Sequence, residues 1–235
     1  MLSQFEKELN QLQDHERGGL LQRFFKTGKG QYGEGDIFIG LTVPQCRIFA
    51  KKYASMSYTD ISKLLASPIH EKRLIALLIL VHNFEKGSDE ERKQIFNFYI
   101  KSLKHINNWD LVDLSAGKIV GAYLYEKDCS LLYDLARSED LWKKRVAIIS
   151  TSNFIGKGQF EHTIKISEIL LHDSHDLIHK AVGWMLREVG KRDGKAERKF
   201  LNIHAATMPR TMLRYAIEKF PEEERQKYLH ARRSL

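Results

Sequence analysis

Four stretches of the chain follow one plan, and that repetition restricts the fold more than any single motif does. The segments IHEKRLIALLIL (69–80), DLWKKRVAIIST (140–151), DLIHKAVGWMLR (176–187) and MPRTMLRYAIEKF (208–220) each place basic residues ahead of an apolar helix. With Ala76, Ala147, Gly183 and Ala216 taken as equivalent, the spacings are 71, 36 and 33 residues. Halving the first puts Val112 of NNWDLVDLSAGK on the intervening turn, so the period is about 36 residues. A small residue recurring at one place marks a close approach of helices, and an apolar face repeated at this interval is covered by the next copy of the unit.

Helical spacing of apolar residues extends beyond these segments, as in Leu74, Leu77, Leu78 and Val81, or Ile166, Ile169 and Leu170. The expected fold is all-α: a single domain over 1–235, an α-solenoid of HEAT-like helical repeats, curved with a basic concave face. Tetratricopeptide and ankyrin arrays have similar periods, but their signature prolines and Thr-Pro-Leu-His motif are absent here. Helices are expected over 2–13 and 16–27. Between Thr27 and Gly40, five glycines break the helical pattern and predict a loop or hairpin. Further helix starts are predicted at Thr42-Val43-Pro44, at Ser67-Pro68 and at Ser88.

Composition narrows the function classes. Hydrophobic residues at 43% and charged residues at 29% fit a folded chain and exclude a wholly disordered one. The formal net charge of +8 suits a polyanionic partner. Cys46 and Cys129 lie far apart without a CxxC pattern, so free thiols in a reducing compartment are expected. Neither a secretory leader nor a membrane span is expected, because charge interrupts the apolar residues throughout. The expected location is the cytoplasm, in association with the nucleoid.

Equivalent positions of successive repeats line up along one wall. One step past the small residue stand Leu77, Asp113, Ile148, Trp184 and Ile217, of which three are aliphatic and two are not. Trp109 precedes Asp113 by four residues and so shares its face; Arg145 stands three before Ile148 and Arg187 three after Trp184. Two readings of this wall stand at this point. Either the two indoles fill the core while Asp113 pairs with Arg145, or the four residues form a working site. A second group, Lys72 and Arg73, Lys143 and Lys144, His179 and Lys180, Arg210 and Arg214, puts cations at helix starts, where free N–H groups already favour anions. Such a track, with Arg187, suits a phosphate backbone; its alternative is a solvated charged face.

Two other motifs carry less. Gly28-Lys29-Gly30-Gln31-Tyr32-Gly33 satisfies GxGxxG but follows a helix and lacks a βαβ frame, so no dinucleotide is expected. His172, Asp173, His175, Asp176 and His179 have metal-compatible spacing without a second segment of ligands, and a polar helix cap is the expected role.

The segments INNWDLVDLSAGKIVG (106–121), LWKKRVAIIS (141–150) and IHKAVGWMLREVGK (178–191), in this order, resemble the AlkD-like DNA alkylation repair family. The likeness covers almost the whole chain. It implies a monofunctional DNA glycosylase that hydrolyses the N-glycosidic bond of cationic N3- or N7-alkylated purines in base excision repair. Asp113 then resembles the family's essential carboxylate, Trp109 and Trp184 its two cleft indoles, and Arg145 its cleft arginine. The implied partner is double-stranded DNA containing alkylated bases, bound by a monomer without metal, cofactor or membrane. Asn108 stands where the best-known member has an aromatic residue, Phe24 replaces a tyrosine of the second helix, and the glycine-rich loop is longer. The alternative is a HEAT-like protein that binds distorted or branched DNA without excising a base.

Overall fold

The computed structural model describes residues 1–231, which form two compact units, Met1–Ser115 and the residues from Ala116 onward. The first unit contains α1 (Leu2–Asn10), α2 (His15–Phe24), α3 (Val43–Lys52), α4 (Tyr58–Leu65), α5 (His70–Lys86), α6 (Asp89–Lys101) and the start of α7 (Trp109–Ala116). The second begins with a π-helical stretch, Gly117–Gly121, followed by α8 (Ala122–Leu124), α9 (Ser130–Ala136), α10 (Leu141–Gly156), α11 (Glu161–Ile169), α12 (Asp176–Gly190), α13 (Gly194–His204), α14 (Arg210–Ala216) and α15 (Glu222–Leu229). The all-helical fold with helical repeats is thus as the apolar spacing predicts. Among the described residues no helix is long and apolar enough to cross a membrane.

In the first unit α3 and α4 pack on α5. Every residue of α5 from Leu74 to Val81 is buried, the pattern of a helix that is apolar all round. Its start lies two residues beyond the predicted Ser67-Pro68, with the Ser67 hydroxyl accepting the Ile69 N–H at 3.1 Å. The other two predicted starts are capping boxes, Thr42 with Gln45 before α3 and Ser88 with Glu91 before α6.

In the second unit α10 packs on α9, α11, α12 and the Gly117–Gly121 turn, while α12 packs on α14. The small-residue register has a direct cause here: a methyl group on Gly183 would collide with the Met212 carbonyl oxygen of α14. Ala76, Val112, Ala147 and Ala216, aligned with it by the repeat, are completely buried.

Residues 28–40 form turns rather than a hairpin, and the segment from Asp36 to Leu41 is mostly buried. Ile37 makes a parallel bridge with Ile69, and the Glu71 carboxylate accepts N–H groups from Ile39 and Gly40. Gly40 has a φ of 88° and its carbonyl accepts Arg17 Nη1 at 3.0 Å, so the end of the loop is held between α2 and α5. Lys29 remains exposed and Tyr32 half-buried at the loop's outer part.

Candidate functional site

The five positions one step past the small residue of the repeat differ in burial. Leu77, Ile148 and Ile217 are sealed in the core, whereas Asp113 and Trp184 at the equivalent positions are only half-buried. Asp113 is therefore not enclosed by the helical packing. Trp109, one turn earlier on α7, is half-buried as well. Behind α7, the fully buried Tyr99 shares its hydroxyl with Ser115 at 2.9 Å. Burial pushes that phenol well above its ordinary range, and the Asp113 charge adds to the effect.

Trp109 is held from below. Its indole stacks on Phe25 at 5.0 Å and 10°, and meets the exposed Phe24 edge-on at 6.0 Å. Phe25 in turn stacks on Phe38 at 4.7 Å, and Phe38 on His70 at 4.4 Å. One indole face is thus committed to the protein.

Under this stack lies a buried polar network that the sequence pattern does not announce. His70 at the start of α5 places Nδ1 3.1 Å from Asp36 and Nε2 2.8 Å from Asp110. Asp36 also pairs with Arg73 at 2.6 Å and accepts Asn108 Nδ2 at 3.1 Å. Asn108 is 0% exposed and accepts the Trp109 N–H through its side-chain oxygen. The residue that departs from the resemblance therefore points inward and belongs to the support of Trp109. Burial opposes ionisation of Asp36, but His70, Arg73 and Asn108 outweigh it and hold the carboxyl below its ordinary value. A signal existed in the crowding of polar side chains in NNWD at a helix start, though not for partners 40 and 72 residues away in sequence.

In the second unit Arg145 is buried within α10 and its Nη1 donates to the Leu177 carbonyl at 2.6 Å, tying α10 to the first turn of α12. Trp184 on α12 donates its indole N–H to Glu188 at 3.2 Å. Glu188 also pairs with Lys191 at 2.7 Å, and Arg187 pairs with Glu218.

The basic track is less open than its sequence suggests. Arg73 is a correction: it lies 4% exposed in the Asp36 network, because a guanidinium was needed beside a buried carboxylate. Lys72 pairs with Glu6 at 2.5 Å, Lys144 with Asp173 at 2.7 Å and Lys180 with Asp176 at 2.7 Å. His179 Nε2 faces the Asp173 carbonyl at 2.5 Å, and Arg210 donates to the Leu229 carbonyl at 2.6 Å. Lys143 is half-buried and Arg214 exposed. The N-terminal N–H groups of α10 and α12 are partly taken as well. Asp140 accepts those of Trp142 and Lys143, and His175 accepts that of Leu177. The His172–His179 cluster thus contains a cap, and among the described residues no group of His, Cys, Asp or Glu is arranged to hold a metal.

Comparison with known proteins agrees with the resemblance. A solved structure described as a predicted DNA alkylation repair enzyme from Enterococcus faecalis is similar to the chain. It is 17% identical with a TM-score of 0.68, over 89% of this chain and 97% of that one, which establishes a shared fold. No curated protein matches the chain. The family model for DNA alkylation repair enzymes matches residues 5–220, nearly the full length, and the chain accordingly belongs to the DNA alkylation repair enzyme family.

Proposed function

We propose that this protein is a monofunctional glycosylase that releases cationic N3- or N7-alkylated purines from duplex DNA. The observation that carries the reading is the pairing on α7: Asp113 and Trp109 share one face and remain partly open, where aliphatic residues of other repeats are sealed. A polar residue and an indole kept at the edge of a core are better explained by a ligand than by packing.

The chemistry asked of these side chains is modest. An alkylated purine already carries positive charge, so it departs without a strong general acid. The sugar it leaves becomes oxocarbenium-like, and a fixed carboxylate at Asp113 stabilises that charge and orients the attacking water. Each indole attracts a cationic base through its ring quadrupole, an effect worth about 0.5 to 2 kcal/mol. Arg145, buried in its wall, would act on a phosphate from within the helix packing rather than from an open surface. Lys143, Lys144, His179, Lys180, Arg187, Arg210 and Arg214 would contribute the salt-dependent, sequence-independent part of binding, with Lys144, Lys180 and Arg187 exchanging carboxylates for phosphates. In this reading the protein works as a monomer on chromosomal DNA, with no cofactor.

The test is base release from methylated duplex DNA. The wild-type protein should liberate N3-methyladenine or N7-methylguanine, and Asp113→Asn should lower the rate by about 100-fold or more while largely preserving binding. Binding without any released base, equal for both proteins, would replace this reading with that of a non-excising DNA-binding protein.

A further inference from the structure

We infer that His70 is a positioning residue for Trp109: held as an imidazolium between Asp36 and Asp110, it fixes the start of α7 and the indole that meets the damaged base. The role in base release rests on the function proposed above; the geometry does not.

Both ring nitrogens of His70 face carboxylate oxygens, Nδ1 toward Asp36 at 3.1 Å and Nε2 toward Asp110 at 2.8 Å. A neutral imidazole has one N–H and would turn a lone pair toward one of those oxygens. The imidazolium donates to both. Charge balance points the same way. Asp36, Asp110 and Glu71 are all buried in this region, and Arg73 is the buried guanidinium among them. Glu71 is engaged with the Ile39 and Gly40 N–H groups. Arg73 Nη2 lies 3.5 Å from His70 Nδ1 and opposes a second cation, but the carboxylates on either side of the ring prevail. Burial also works against the charged ring, yet Asp110 and Asp36 raise its pKa above the ordinary value. Nearby His105, on the short turn before α7, is held below its ordinary value by burial, Lys104 and Arg73.

Two routes connect this charge to Trp109. Along the backbone, Trp109 sits between Asn108, which binds Asp36, and Asp110, which binds His70. Through the rings, His70 stacks on Phe38, Phe38 on Phe25 and Phe25 on the indole. Loss of the proton turns a lone pair toward one of the two carboxylates, so the ring keeps only one of its two N–H anchors and the start of α7 is held less firmly.

The imidazole nitrogens of His70 and the indole N–H of Trp109, assigned through Trp109→Phe, are followed by 15N NMR as pH rises. The expected result is an imidazolium signature at neutral pH, with a midpoint above the ordinary value of about 6.5. The Trp109 resonance should move at that same midpoint while that of Trp142 does not. The base-release rate should fall along the same limb. His70→Gln should abolish the limb and lower the rate about tenfold with duplex binding kept, as expected of a misplaced group. Asp110→Asn, which keeps the volume and removes one carboxylate, should lower the midpoint and serves if His70→Gln fails to fold. A neutral His70 ring below about pH 6.5, or a Trp109 resonance indifferent to its titration, would overturn the inference. A wild-type protein that releases no base would instead sink the glycosylase reading, because the NMR results stand without it.

Discussion

The candidate residues of the two units rest on opposite kinds of support. In the first unit Trp109 stands on a buried network, Asp36, His70, Arg73, Asn108 and Asp110, in which the charged groups have partners of opposite sign. In the second, Trp184 and Arg187 are joined to Glu188 and Glu218 at the surface, and the buried carboxyl of the region, Glu197, has an oxygen with no hydrogen-bond partner. A buried network fixes geometry strongly but fails badly when one member is removed. Surface pairs fix little, yet they open to admit a new anion at low cost. Under the proposed function, the first unit would supply positioning and the second a yielding contact with a phosphate backbone.

The sharpest way to break this comparison is Arg73→Ala. It takes the guanidinium away from the buried Asp36 carboxylate, which keeps only His70 and Asn108, and should cost about 3 to 5 kcal/mol in a urea titration. A loss no greater than that of a surface lysine would show that the network is not the support it is taken for. Next in size is Glu197→Gln. Burial pushes the Glu197 carboxyl up to about 8, above its unfolded value, so its contribution is intact at acid pH and is lost as pH rises through that value. The variant should therefore be more stable than the wild type at alkaline pH, with the gain vanishing near the ordinary carboxylate value of 4.5. Thermal melts across pH would show it, and a pH-independent difference would contradict it. The smallest effect belongs to Lys144→Ala. Its partner is Asp173 and its side chain is one-fifth exposed, so the pair should contribute under about 1 kcal/mol to stability. The same change should weaken duplex binding and flatten its salt dependence by about one phosphate contact. Unchanged salt dependence would remove Lys144 from the proposed DNA-binding residues.

The pH behaviour of the first unit has both signs. Asp36 is held below its ordinary value, so the stability it brings is present above the unfolded carboxylate pKa and fades as pH falls through the folded one. His70 is raised, so its share is complete below the unfolded histidine pKa and is lost as pH climbs through the folded value. The network should be strongest between these limits.

Much of the fold was legible because helices are local. The 3.6-residue spacing, the capping boxes at Thr42 and Ser88, and the small residue at Gly183 are short-range signals whose physical cause acts within a turn or at one helix contact. The shared face of Trp109 and Asp113 was legible for the same reason. Arg73 was misjudged by the same kind of reasoning. It reads as part of a basic track yet turns inward toward Asp36, as does Asn108, which the resemblance marks only as a departure from the best-known member. The segment carrying Asp36 reads as a glycine-rich loop or hairpin, but its last residues are sealed against α5.

By itself, then, the sequence determined an all-helical chain, a repeat of about 36 residues and a carboxylate and indole one turn apart, since these depend on periodicities within a helix. Tertiary structure alone decided which cations remain outside and which are drawn into the core, and it brought Asp36 to His70 and His70 to Asp110. The reason is electrostatic. A charge removed from water must find its counter-charge wherever the packing leaves it, and no local spacing records that distance.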